Sequence, residues 1–191
     1  MICKRLYIFD FDGTIIEGDS LIKFSYFSLS ILQFFRYWIS VIILIPFYSR
    51  SDLKQMFYSN FNEFNQEYFN NLCLDFYNQK LRKLIKRSFN DFMKNLNEDS
   101  KIVVVSASIS NYLKPWCDEM GFDLISTELE VVNGKLTGKF STPNCNGKEK
   151  VIRIKEKYAL SEYDEIHVFG NSKGDFPMLE LGKHKYYKFF K

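Results

Sequence analysis

Residues 5–14 read Arg-Leu-Tyr-Ile-Phe-Asp-Phe-Asp-Gly-Thr, and no other stretch constrains the fold as strongly. The apolar run at 6–9 has a strand-forming composition and stops at Asp10 and Asp12, with Gly13 as the turn. It reads as a buried strand, and the carboxyl end of a strand is where a parallel α/β sheet holds ligands. Asp10 and Asp12 repel each other there, so fold stability gives no reason to keep both. A divalent cation gives one, by binding a carboxylate and changing the local electrostatics.

The rest of the chain falls into two further segments. Residues 16–95 read as helical throughout, with Leu53, Met56, Phe57, Phe61 and Phe64 at helical spacing. Phe69, Leu72, Cys73, Phe76 and Tyr77 continue the period, as do Leu81, Leu84, Ile85, Phe89 and Phe92. From Asn97 the pattern returns to α/β alternation. The β-branched run at 101–105 suits a buried parallel strand ending in Ser106, Ala107 and Ser108. A helix to about Met120, a strand at 122–125, a hairpin about Asn133-Gly134, a helix at 147–158, a strand at 166–169 and a last strand at 186–189 follow. The expected fold is therefore α/β, one sheet split by a helical insertion directly after its first strand. Residues 1–15 and 96–191 form the expected core, and residues 16–95 a helical cap placed where a lid is needed.

A net charge of +3 is too small to argue for nucleic acid and suits an anionic substrate as well. Hydrophobic content of 46% and charged content of 26% exclude a disordered chain. Cys3, Cys73, Cys117 and Cys145 are scattered without metal-ligand spacing, so reduced thiols are expected. The apolar run after Lys4 and Arg5 is too short for a cleavable leader, which predicts a site facing the cytoplasm.

Three strand ends offer polar groups in chain order: Asp10 and Asp12, then Ser106, then Asn171 and Asp175. Lys148 and Lys150 lie between the last two at a helix start. Carboxylates, a hydroxyl, a lysine and a helix N-terminus are the parts that hold a phosphoryl group. Read singly, Ser106 serves equally as a helix N-cap, with Ser108 the better candidate for that cap, and Asn171 and Asp175 are candidate caps too. His167 reads as packed or edge-exposed within its strand rather than catalytic, and His184 as a surface residue.

Together, Asp10-Phe-Asp-Gly-Thr14, the strand ending in Ser106, the downstream lysine and Gly170-Asn-Ser-x-x-Asp175 resemble the four motifs of the haloacid dehalogenase superfamily. The match is closest to its phosphoserine-phosphatase-like branch, subfamily IB, which carries a helical cap on a Rossmann-like core. The resemblance implies that Asp10 is a nucleophile forming an aspartyl-phosphate and that Asp12 is the general acid and base. It implies Mg²⁺ held by Asp10, the Asp12 carbonyl and Asn171, with Asp175 steadying the metal's surroundings or the lysine. It sets Ser106 and Lys150 on phosphate oxygens, with Gly13, Thr14 and Ala107 beside the substrate. The Gly-x-x-Lys-Val pattern favours Lys150, with Lys148 the fallback. Asn171 stands where Asp is usual, so weaker Mg²⁺ binding is expected. Asp12 favours a phosphatase over a dehalogenase, because an alcohol leaving group needs a proton and a halide does not.

Residues 37–48 are almost unbroken apolar sequence, and Phe27, Leu29, Ile31, Leu32, Phe34 and Phe35 precede them. A helix apolar on all sides is buried or meets lipid. One crossing would separate the two parts of a single sheet, and the run is shorter than the ~20 residues a span needs. Two readings stay open. One is a re-entrant hairpin or interfacial helix with Tyr37 and Trp38 at headgroup depth; the other is an oily cap packed on itself or on a partner subunit. Gly18-Asp-Ser20 before an apolar helix resembles the phosphatidylglycerophosphate phosphatases of this branch. Glu17 and Asp19 stand where a cap residue reaches the leaving group, or where a hinge and N-cap belong.

The sequence thus predicts a cytoplasmic Mg²⁺-dependent phosphomonoester hydrolase acting on a lipid or other apolar phosphate, with peripheral contact at the inner face of the membrane if the first reading of the apolar segment holds. A small-metabolite phosphatase, a phosphotransferase and a non-catalytic phosphate-binding protein are the alternatives.

Overall fold

The computed structural model describes residues 4–96 and 100–191. Cys3, and Asn97 where the third segment was expected to begin, lie outside them. Strand β1 (Arg5–Phe9) is followed by helices α1 (Ser20–Ser28), α2 (Ile31–Leu44), α3 (Arg50–Tyr58), α4 (Gln66–Gln79) and α5 (Arg87–Lys94). Strand β2 (Lys101–Ile109), helix α6 (Ser110–Met120) and strand β3 (Asp123–Thr127) come next. The hairpin β4 (Leu129–Val132) and β5 (Lys135–Phe140) then leads to α7 (Lys148–Lys157), β6 (Glu165–Gly170), α8 (Phe176–Leu179) and β7 (His184–Tyr187).

The main sheet runs β3-β2-β1-β6-β7, with every neighbouring pair parallel. The fold is the expected α/β one. Because β1 is central and Phe9 pairs with both Val104 and Phe169, the chain leaves β1, β2 and β6 at one edge. Asp10, Ser106 and Asn171 are thereby brought together. Parallel sheets bury both faces. Leu6 and Ile8 pack with Val103, Val105, Val168, Ile154 of α7 and Met178 of α8, while Phe9 packs with Val104, Phe169, Phe89 of α5 and Trp116 of α6.

The second core does not stop at the sheet. It continues through Phe11 into Phe24, Phe57, Phe61, Phe69 and Phe76 of the helical insert. Tyr112 of α6 bridges the two, with ring centroids 5.2 Å from Phe24 and 5.5 Å from Phe76. An insert of this size has too little interior of its own, and it gains one by sharing the sheet's. The insert is therefore seated on α6 by aromatic contact.

Local signals translate as expected where they are strong. Asn133 (φ 51°) and Gly134 (φ 75°) take the paired positive-φ geometry of a two-residue hairpin, and only β4–β5 pairing is antiparallel among the described strands. Three expectations need correction. The last strand is His184–Tyr187, not 186–189, because Phe189 and Phe190 leave the edge to pack on Phe92 and Phe169. Ser108 does not cap α6: β2 runs on to Ile109, and the helix starts with no side-chain cap. His184 is half-buried rather than free at the surface, paired in register with His167 and stacked on its ring at 4.4 Å.

Helix α2 is the exception to burial. Of its residues only Tyr37 is fully buried; Trp38 and Val41 pack partly against the insert's core, while Ile31, Leu32, Phe35, Ile39, Ile42 and Ile43 are exposed. Tyr37 donates its hydroxyl to the Leu53 carbonyl at 3.0 Å, and the Trp38 indole N–H donates to Ser25 Oγ at 3.0 Å. Neither ring is placed as a headgroup anchor; both polar ends are used inside the protein. Among the described residues no helix is long and apolar enough to cross a membrane.

Candidate active site

Gly13 sets the local shape of the first strand end. Its φ is +73°, and a Cβ there would meet the Asn171 Nδ2 atom at 1.9 Å, so glycine lets the 10–14 turn close against the β6 end. Lys86 Nζ pins the same turn from outside, donating to the Gly13 carbonyl at 2.7 Å and to Phe190 O at 3.0 Å.

Three buried charges form the centre. Lys150, 1% exposed in the first turn of α7, donates to Asp10 Oδ1 at 2.6 Å and to Asp175 Oδ1 at 2.7 Å. Lys148 is exposed. The Thr14 hydroxyl donates to Asp10 Oδ2 at 2.8 Å. Asp175 Oδ2 accepts from Ser172 N at 2.9 Å and Ser172 Oγ at 2.8 Å, and from Asn171 N at 3.2 Å. The Asp175 side chain therefore orients both the lysine and the loop that carries Asn171.

Burial pushes the Asp10 carboxyl up to about 6, against the pull of Lys150. Burial disfavours charge on Lys150 too, but Asp10 and Asp175 outweigh it and hold the ammonium above its ordinary range. Burial also opposes the charge of Asp175; Lys150 and the Ser172 hydrogen bonds overcome this and keep the carboxyl low. One cation thus serves two carboxylates, and Asp10 is the less satisfied of the two.

Asp12 faces the other way. Its Oδ1 accepts from Ser20 N at 2.7 Å, the first amide of α1, and its Oδ2 accepts from Ser108 Oγ at 2.6 Å. Ser108 N in turn donates to Ser106 Oγ at 3.0 Å, and Ser20 Oγ lies 2.8 Å from Ser108 Oγ and 3.1 Å from Tyr112 OH. Burial raises the Asp12 carboxyl, and Asp19 adds to the effect. Asp19 itself is the N-cap of α1, accepting from Leu21 N and Ile22 N. Glu17 donates its amide to Leu84 O at 2.9 Å, which ties the entry to the insert to its exit.

These groups open into a cavity of about 690 Å³ between the sheet edge and the insert. Asp10, Asp12, Gly13, Ala107, Lys150, Asn171 and Asp175 line its floor; Thr14 and Ser106 sit behind them, buried. Leu21, Ile22, Tyr37, Trp38, Val41, Ile45 and Leu53 give the insert's wall an apolar surface. Sequence reasoning missed Arg50, Lys54, Asn144 and Asn146, which also line it. Lys54 Nζ reaches the Ala107 carbonyl at 3.3 Å, carrying a cation from α3 to the end of β2. Arg50 and Lys54 belong to α3 and reach the site through the seating of the insert on α6, whereas Asn144 and Asn146 come from the loop between β5 and α7.

The floor carries hard-oxygen groups in Asp10, Asp12 and Asn171, the Asn171 amide lying against Gly13. Such a set suits Mg²⁺, which takes few protein oxygens and completes its shell with water and phosphate. The carboxylate oxygens of Asp10, Asp12 and Asp175 all accept hydrogen bonds, those of Asp10 from Lys150 and Thr14, so a metal would share these oxygens with their donors or displace the donors.

The haloacid dehalogenase-like hydrolase family matches residues 7–180, which includes all of these groups. The chain belongs to that family. Among curated relatives, protein CicA of Caulobacter vibrioides is 33% identical over 94 residues, a match covering 48% of this chain and 42% of that protein. A Bordetella pertussis protein of unknown function superposes with a TM-score of 0.85 at 19% identity, over 94% of this chain and 87% of that one. A phosphoserine phosphatase in its apo form superposes with a TM-score of 0.66 at 16% identity, over 94% and 83%. Within this hydrolase family, the chain carries Asn171 beside the acidic turn, and its insert presents an apolar wall to the site.

Proposed function

We propose that the chain is a phosphomonoester hydrolase that works through an aspartyl-phosphate on Asp10, with Mg²⁺ as cofactor. The observation that carries this reading is the Asp10–Lys150–Asp175 cluster: a buried carboxylate beside a fixed ammonium at an open strand edge. In the first step an Asp10 oxygen attacks phosphorus, the bond from phosphorus to the leaving oxygen breaks, and Asp12 gives that oxygen its proton. In the second, water attacks the same phosphorus, the Asp10–phosphorus bond breaks, and Asp12 takes the water's proton. Mg²⁺, held by Asp10, the Asp12 carbonyl and Asn171, would offset the charge of the phosphate when bound. Lys150 and Ser106 hold equatorial oxygens, with Gly13, Thr14 and Ala107 shaping the pocket around them. Residues 1–15 and 96–191 act as the catalytic core and 16–95 as the cap that closes it. A solved phosphoserine phosphatase with a phospho-aspartyl intermediate analogue shares the fold, at a TM-score of 0.66, and supports the chemistry by analogy.

The substrate is a phosphate with an apolar or lipid body, handled at the cytoplasmic face of a membrane. The apolar wall formed by Leu21, Trp38, Val41 and Ile45 supports this over a charged small metabolite. Aryl-phosphate hydrolysis that requires Mg²⁺ and stops with EDTA is the expected result; turnover unaffected by EDTA overturns the metal's role.

Asn171 favours a second reading, a protein that binds phosphate compounds without turnover, since an amide brings the site less charge than a carboxylate. Asn171→Asp is expected to lower the Mg²⁺ concentration needed for half-maximal activity by about tenfold. Isothermal titration with Mg²⁺ and the metal dependence of kcat/KM check this. A wild type inert toward a broad phosphate panel, with activity gained only in the Asp variant, would establish the binding role instead.

A further inference from the structure

We infer that the free face of α2 is a docking surface for an anionic lipid bilayer, which sets the mouth of the cavity against the membrane. The inference rests on the catalytic reading above only for the use of that cavity. Ile31, Leu32, Phe35, Ile39, Ile42 and Ile43 are 56–73% exposed, and Phe47 just beyond the helix is 79% exposed. At 3.6 residues per turn, the six helical residues fall within an arc of about 120°. Val41 and Ile45 lie next to that arc and line the cavity, so apolar surface runs unbroken from the solvent side of α2 into the site. A folded chain keeps a stripe of this kind in water only at a cost, and its continuity with the site points to use.

Charge identifies the occupant. Residues 20–51 contain Lys23, Arg36 and Arg50 and no Asp or Glu. Arg36 stands at the edge of the exposed arc, and all three cations are exposed. An apolar stripe whose own segment carries cations and no acid, with Asp52 only beyond its end, is the pattern of a helix lying in the plane of an anionic membrane surface. A second copy of the chain fits less well, because a symmetric pairing of this face sets the same cations opposite each other. At 14 residues, α2 is about 21 Å long and lies on a bilayer rather than through it.

The test is co-sedimentation with vesicles of phosphatidylcholine, with and without phosphatidylglycerol. The wild type is expected to bind the anionic vesicles at least about tenfold more tightly, with binding weakened by salt. Leu32→Ser/Phe35→Ser/Ile42→Ser/Phe47→Ser should lower that binding by about tenfold or more and leave aryl-phosphate turnover unchanged, since none of the four lines the cavity. Lys23→Gln/Arg36→Gln should abolish the preference for anionic lipid and keep weak binding to both vesicles. Equal vesicle binding by wild type and the quadruple variant overturns the inference. So does a wild type that ignores vesicles and forms dimers by light scattering. Absence of aryl-phosphate hydrolysis with vesicle binding intact would reject the catalytic reading and leave the docking surface standing.

Discussion

Replacing Asp10 with Asn should reduce turnover by a factor on the order of 10⁴ or more, because in the proposed mechanism that carboxylate supplies the atom that bonds to phosphorus. The fold should survive. An amide keeps the volume, its oxygen still accepts from Lys150 Nζ (2.6 Å in the wild type), and its NH₂ donates to a rotated Thr14 hydroxyl. The pH dependence of stability should change in metal-free protein. Burial lifts the Asp10 carboxyl from an ordinary 3.8 to about 6, so the folded state holds its proton more tightly than the unfolded one. A raised acid contributes stability that is complete below pH 3.8 and lost as pH climbs through about 6. The wild type should therefore weaken across that window, while the Asn variant lacks this slope. Steady-state kinetics and thermal melts in EDTA from pH 4 to about pH 7.5 read both effects. Turnover within tenfold of wild type would falsify the assignment of Asp10 as nucleophile.

How much of this was legible beforehand depends on the range of the interaction involved. The run at 6–9 and the Asn133-Gly134 turn announce themselves because period and backbone geometry are local. Lys150 was separable from Lys148 by motif alone, and its burial between Asp10 and Asp175 follows from α7 starting two residues earlier. Ser108 shows where local reading fails. As a small polar residue before a helix it looks like a cap, but Ile109 pairs with Thr127 after a register shift in β2–β3, which extends the strand past it. That pairing turns the Ser108 hydroxyl to Asp12, a partner 96 residues away. Lys54 and Arg50 were invisible for a similar reason: their approach to the site depends on Phe24 and Phe76 packing against Tyr112. The apolar content of α2 was plain from its letters. Which side of it the protein would cover was not, since that is decided by Tyr37 reaching Leu53 and Trp38 reaching Ser25.

Lys150→Met should be the most damaging substitution for stability, and its damage should depend on pH in a defined direction. Methionine fills the space of the lysine stem but leaves the buried carboxylates of Asp10 and Asp175 facing each other without the ammonium 2.6 Å and 2.7 Å away. Breaking a buried pair by removing one partner costs about 3–5 kcal/mol. Here two acids lose the same cation, while Asp175 keeps its hydrogen bonds from Ser172, so the greater strain falls on Asp10. Both carboxyls should then shift upward. Raised acids lend stability at low pH and withdraw it as pH rises, so the variant's stability optimum should move to more acid pH than the wild type's. Chemical denaturation at about pH 5 and pH 8 measures the shift. Millimolar Mg²⁺ offers a separate check: a cation bound at Asp10 replaces part of the missing charge, so it should stabilise the variant more than the wild type. Phosphatase activity should stay absent even then, because the ammonium proposed to hold the phosphate is gone. A variant as stable as wild type at pH 8, with no response to Mg²⁺, would mean that Lys150 is not what balances these two acids.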